Sequence, residues 1–207
     1  MNAPMLWPGV LTRLMACPPT CGAAAALLVS EAYALKHGLD HSVRIRAQSM
    51  TTDSPRTFEA HDMREVVGFS MAQDAARQVY EQAGISPQDV DVVELHDCFA
   101  QNELLTYEAL GLCPVGGAEK FVCDGDNTYG GKVVTNPSGG LLSKGHPLGA
   151  TGAMILGTLI DELHRRHLRY GLATLCVGGG MGIATIIASG VLISAVSRRP
   201  APALESD

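Results

Sequence analysis

The fold class is decided by three consecutive segments, LGATGAMILGTLIDELHRRH (148–167), LATLCV (172–177) and GIATIIA (182–188). The first, which opens on small residues, predicts a long helix, and the second is an apolar strand. The glycines at 178–180 predict a turn, so the third segment, continuing to about residue 195, pairs with the second as a hairpin.

The rest of the chain alternates between helices and strands in the same way. Helices are expected over 31–37, 70–83 and 102–111, and strands over 43–48 and 90–95. The segments 51–68, 115–132 and 135–147 are expected to be irregular, and the apolar run 22–30 is too continuous for a surface helix. This order predicts a layered α/β domain with a mainly parallel sheet and one antiparallel strand at the end.

Composition and charge exclude several classes of protein. Hydrophobic residues make up 46% of the 207 residues and charged residues 17%, which is too apolar for a disordered chain. With a net charge of −6 and no basic cluster beyond two Arg-Arg pairs, nucleic acid is not an expected partner. No segment is apolar enough to cross a membrane and the start does not resemble a signal peptide, so a cytoplasmic location is expected. The six cysteines are then thiols, and their spacing does not fit a zinc site.

Three short motifs place polar residues next to strand ends or a helix start: His-Asp-Cys-Phe (96–99), Gly-His-Pro (145–147) and Cys-Val-Gly-Gly-Gly (176–180). Ligands of α/β sheets gather outside the carboxyl ends of the strands, where the first and third motifs fall. The second precedes a helix N-terminus, whose dipole lowers the pKa of a nearby imidazole. Each motif also has a structural explanation: a histidine at the rim, a small buried cysteine, or a plain hairpin turn.

Together these motifs resemble the thiolase superfamily. The run NPSGGLLSKGHPLGATG (136–152) followed by Cys-x-Gly-Gly-Gly carries the resemblance, and His-Asp-Cys-Phe narrows it to the sterol-carrier-protein or lipid-transfer-protein type. It implies a thiolase-like layered αβα domain with a mixed five-stranded sheet, the N-terminal half of the duplicated fold being missing. Residues 1–40 would be the end of that half, with 22–30 as its last strand; 41–195 would be the C-terminal domain, and 196–207 a disordered tail.

The resemblance also implies roles for individual residues. His146 would be the base that activates a nucleophilic cysteine, Cys176 the acid/base at the alpha carbon, and His96 part of an oxyanion hole. Coenzyme A would lie beside Ser138, Gly139 and Ser143. The backbone amide of Gly178 would contribute to a second oxyanion hole. Coenzyme A would be a substrate, with no cofactor and no metal required. This chemistry needs a thiolate, a base of near-neutral pKa and donors aimed at developing oxyanions.

The chain departs from the family at the nucleophile, because none of its cysteines stands in a Cys-x-Ser motif. Three hypotheses follow. In the first, the chain is the C-terminal part of an acyltransferase that needs an N-terminal half on another chain, in a homo- or hetero-oligomer. In the second, it is an incomplete acyl-CoA-binding or scaffold fragment. In the third, it is a partner of a CoA-ester retro-aldolase. The presence of Cys176 counts against the third.

Overall fold

The structure is a computed structural model that describes residues 3–176 and 180–190. Its helices are α1 (Glu31–His37), α2 (Arg56–Glu59), α3 (Met63–Val66), α4 (Phe69–Ala83), α5 (Ala100–Ala109), α6 (Ala118–Cys123), α7 (Gly140–Lys144) and α8 (Thr151–Arg165). Its strands are β1 (Met5–Trp7), β2 (Leu11–Thr12), β3 (Val43–Thr52), β4 (Val92–Glu94), β5 (Val134–Thr135), β6 (Tyr170–Cys176) and β7 (Met181–Ser189). Two single 3-10 turns lie at Arg13–Met15 and Pro87–Asp89.

Five strands form the central sheet in the order β3-β7-β6-β4-β5. Strand β7 is antiparallel to both of its neighbours, whereas β6, β4 and β5 pair in parallel. The predicted mixed five-stranded sheet with one antiparallel strand is therefore confirmed. Although β7 is the last strand along the chain, it lies inside the sheet, between β3 and β6.

Helices cover both faces of this sheet. On one face Val79 of α4 packs in the same core cluster as Val93 of β4 and Ile186 of β7. On the other face Leu159 of α8 packs in a second cluster with Val92. Successive residues of β4 thus point to opposite layers, as a strand requires. This arrangement confirms the layered αβα architecture.

The structure corrects several local expectations. Segment 22–30 forms no strand and all of it is exposed, because no described strand runs beside it to pair with its backbone. Strand β3 extends beyond 48 to Thr52, since β7 supplies partners along its whole length. The segments expected to be irregular contain α2, α3, α6 and α7. The short α3 forms where the Asp62 side chain accepts a hydrogen bond from the Arg64 amide, which caps it.

The boundaries proposed at residues 40 and 195 stay predictions, and residues 196–207 lie outside the described part of the chain. Across residues 3–176 and 180–190, no helix is both long and apolar enough to cross a membrane. The same residues contain no group of three side chains arranged to hold a metal ion.

Candidate active site

The carboxyl end of β4 carries the first site histidine. After Glu94 and Leu95 the chain leaves the sheet at His96, which is only 8% exposed. The His96 carbonyl accepts a hydrogen bond from the Asn102 side chain of α5, which fixes the backbone at this point. No partner for His96 Nδ1 is found among the described residues, although the atom is buried. A buried ring nitrogen without a protein partner is uncommon in folded proteins.

The next residue, Asp97, connects this strand end to α7. Its two carboxylate oxygens accept hydrogen bonds from the amides of Leu141, at 2.7 Å, and Leu142, at 3.2 Å. These amides belong to the first turn of the helix, where a carboxylate is favourable. Gly140 lets the carboxylate approach, because its φ is +60° and a Cβ there would lie 2.1 Å from Asp97 Oδ2. This contact between distant segments explains why α7 forms in a stretch that the sequence predicted to be irregular.

The second histidine, His146, lies two residues after the end of α7. Its ring meets the His96 ring edge to face, with centroids 4.9 Å apart and an interplanar angle of 86°. His146 Nδ1 lies 2.7 Å from the hydroxyl oxygen of Thr151, at the start of α8. Two histidines that are 50 positions apart in the sequence are therefore in direct contact.

Burial favours the neutral form of both imidazoles. Burial, with a smaller effect from the neighbouring His146, lowers the pKa of His96 to about 4. Burial also lowers the pKa of His146, and the carboxylate of Asp97 opposes this change. A neutral imidazole has one nitrogen that donates and one that accepts, so His146 can act as a base and His96 can still donate a hydrogen bond.

A cavity of about 440 Å³ lies between α4, α5 and the adjoining ends of β6 and β7. His96, Cys98 and Cys176 contribute to its wall, and most of the remaining wall is apolar, including Phe69 and Leu105. The Cys176 residue is exposed. Two of the three predicted catalytic residues, His96 and Cys176, thus line one cavity, and the third is in contact with His96.

The thiol of Cys98 is poorly suited to be the missing nucleophile. Burial, reinforced by the neighbouring Cys17, raises its pKa to about 11. The reactive form of cysteine is the thiolate, which is scarce at neutral pH for such a group.

Three of the four predicted substrate-binding residues lie between residues 138 and 143, shortly before His146. The Ser138 hydroxyl donates to the carboxylate of Glu94, at 3.2 Å, and accepts from the Lys144 ammonium, at 2.5 Å. Gly139 has a φ of +91°, and a Cβ on it would collide with Ser143. Ser143 and Gly139 are exposed. Gly178 lies outside the described residues, and the roles of all four stay predictions.

Sequence reasoning missed the polar groups that hold these motifs together. The side chain of Glu94 is fully buried and lies 3.4 Å from Lys144 Nζ. Asn136 has a φ of +44°, and its side-chain oxygen accepts the Leu95 amide at 2.9 Å. An asparagine before Pro-Ser-Gly-Gly was a usable signal for this turn, because asparagine tolerates left-handed backbone. No local signal pairs Glu94 with Lys144.

Comparison with known proteins agrees with this geometry. The chain is 52% identical over 182 residues to sterol carrier protein 2 of Homo sapiens, which covers 86% of the chain and 33% of that protein. It is 41% identical over 157 residues to a benzoylsuccinyl-CoA thiolase subunit of Thauera aromatica, covering 75% and 40% respectively. An acetyl-CoA acetyltransferase of Methanocaldococcus jannaschii is 40% identical over 155 residues, covering 73% and 39%.

These matches cover at most 40% of the length of each of those three relatives. In each case the matched region nevertheless includes most of this chain. The family described as thiolase C-terminal domain-like matches residues 53–187, which span both site histidines and Cys176. The chain therefore belongs to the thiolase C-terminal domain-like family.

Proposed function

We propose that this chain supplies the C-terminal part of a thiolase-type active site that acts on acyl-CoA or 3-ketoacyl-CoA thioesters. The observation that carries the proposal is the contact between the buried His96 and the partly buried His146 beside a cavity that Cys176 lines. The names of two relatives, a benzoylsuccinyl-CoA thiolase subunit and an acetyl-CoA acetyltransferase, support CoA thioesters as the substrate class. The apolar cavity wall suits the non-polar part of an acyl group.

In the thiolysis direction, a cysteine thiol from an N-terminal half loses its proton to His146 and attacks the 3-keto carbon. The bond between carbons 2 and 3 breaks, and its electron pair leaves as the enolate of acetyl-CoA. His96 donates a hydrogen bond to the enolate oxygen, and the Cys176 thiol protonates carbon 2. The Cys176 thiolate then takes the proton of the coenzyme A thiol, whose sulfur attacks the acyl-cysteine thioester, and the released cysteine thiolate recovers its proton from His146.

The proposal places the nucleophile outside this sequence, since no cysteine here stands in a Cys-x-Ser motif. Its test is a thiolysis assay on this chain co-purified with an N-terminal half that carries that motif. We expect the rate to fall by about 100-fold or more in His146→Ala, and strongly in Cys176→Ala. Cys123→Ala is the matched control, because this exposed cysteine lies outside the cavity wall.

A calorimetric titration of the same preparation with an acyl-CoA separates catalysis from binding. Co-purified halves that bind acyl-CoA but show no thiolysis would contradict the acyltransferase and favour an incomplete acyl-CoA-binding protein. Equal rates for the His146 and Cys123 variants would contradict the assigned base.

A further inference from the structure

The imidazole of His146 is hydrogen-bonded to the side chain of Thr151. Its Nδ1 lies 2.7 Å from Thr151 Oγ1, five residues along the chain, where α8 begins. Thr151 is 1% exposed, so water does not compete for its hydroxyl. The same hydroxyl donates to the carbonyl oxygen of Pro147, at 3.1 Å, one helical turn before it.

Counting protons decides the direction of the bond to the imidazole. A threonine hydroxyl has one proton, and we place it on the bond to the Pro147 carbonyl, because a carbonyl can only accept whereas an imidazole nitrogen can also donate. The oxygen can then only accept from the imidazole, so the proton of neutral His146 stands on Nδ1. The state of one ring nitrogen of a neutral histidine is set by the hydrogen bond that the other ring nitrogen makes. Nε2 is consequently left with a free lone pair.

We propose that Thr151 is a positioning residue that holds neutral His146 in the Nδ1-protonated form, so that Nε2 is the nitrogen that accepts a proton. The catalytic meaning of this assignment rests on the proposed function, but the protonation pattern itself does not. Both partners of the Thr151 hydroxyl lie in the same short connection between α7 and α8. The ring is thus oriented by the same turn that carries it.

The hydroxyl is the only part of Thr151 that the proposal needs. Thr151→Val keeps the shape of the side chain and removes the hydroxyl, whereas Thr151→Ser keeps the hydroxyl. Thr106→Val is the matched control, because Thr106 makes the same bond to a carbonyl four residues earlier, at 2.7 Å, but belongs to α5.

The test is nitrogen NMR of the chain labelled at its histidine rings. The His146 signals are identified by their loss in His146→Asn. We expect the wild type, Thr151→Ser and Thr106→Val to show Nδ1 protonated and Nε2 unprotonated at neutral pH. In Thr151→Val we expect the signals to move towards the Nε2-protonated form.

An Nε2-protonated His146 in the wild type overturns the proposal, even if Thr151→Val does not fold. The same pattern in wild type and Thr151→Val also overturns it. In a co-purified active complex, we expect kcat to fall about tenfold or more in Thr151→Val and to be restored in Thr151→Ser. If no thiolysis is found but the NMR result holds, the proposed function fails and the assignment of Thr151 as the residue that sets the His146 tautomer stands.

Discussion

The junction between Asp97 and α7 can be tested by replacing Gly140 with alanine. Two costs are expected to add. The left-handed backbone at φ +60° costs an alanine about 1–2 kcal/mol. The new Cβ would stand 2.1 Å from Asp97 Oδ2, so the carboxylate must move and lose hydrogen bonds that contribute about 1.5–3 kcal/mol. Gly140→Ala should therefore lower the free energy of unfolding by about 3–5 kcal/mol.

Urea denaturation of three variants separates the two costs. Gly84→Ala is the matched control, since Gly84 has a φ of +68° and nothing within 4 Å of its Cβ position. It should lose only about 1–2 kcal/mol. In an Asp97→Ala background, Gly140→Ala should likewise show only the backbone cost, because the clash is gone. Equal losses for Gly140→Ala and Gly84→Ala in the wild-type background would refute the reasoning.

Three further changes test the charges and the core. Burial lowers the pKa of His96 to about 4, so between pH 4 and 6.5 the unfolded chain holds a proton on this residue that the folded chain does not. The free energy of unfolding should rise with pH through that window by up to about 3 kcal/mol, and His96→Asn should remove this part of the rise in a urea series at several pH values. Lys144→Met leaves the fully buried Glu94 carboxyl without its cation and should cost about 3–5 kcal/mol in the same assay, whereas Lys120→Met, at an exposed ion pair, should change the free energy of unfolding very little. Leu159→Ala should lower the free energy of unfolding by about 3–5 kcal/mol, because this fully buried side chain packs α8 on the sheet, and a loss below about 1 kcal/mol would contradict that packing.

The sequence predicts best those elements whose own apolar residues show which of their faces are buried. Helix α4 repeats apolar residues such as Ala75 and Val79 on the side that faces the sheet. Strands β6 and β7 are apolar over most of their length because helices cover both faces of the sheet. In these cases local residues carry enough information to fix the structure.

The elements that sequence reasoning missed depend on contacts between distant residues. Helix α7 begins at glycines, which do not favour helices, and is stabilised by Asp97 from another strand end. Segment 22–30 shows the converse: its apolar pattern matches the last strand of the N-terminal half, but no described neighbour offers it a pairing edge. A pattern of side chains predicts burial only where the fold supplies a surface to bury against.

The motifs reveal the two histidines, but the geometry between them is set by residues that the motifs do not single out. Glu94 and Lys144 each stand two positions before a site histidine, and their ion pair ties β4 to α7 at 3.4 Å. Asp97, directly after His96, holds the other end of α7 through two backbone amides. The helix that carries His146 is thus attached to the strand of His96 at both of its ends. Because a buried ion pair often adds little net stability compared with apolar residues of the same size, we expect these charges to act mainly by fixing the contact between the two rings.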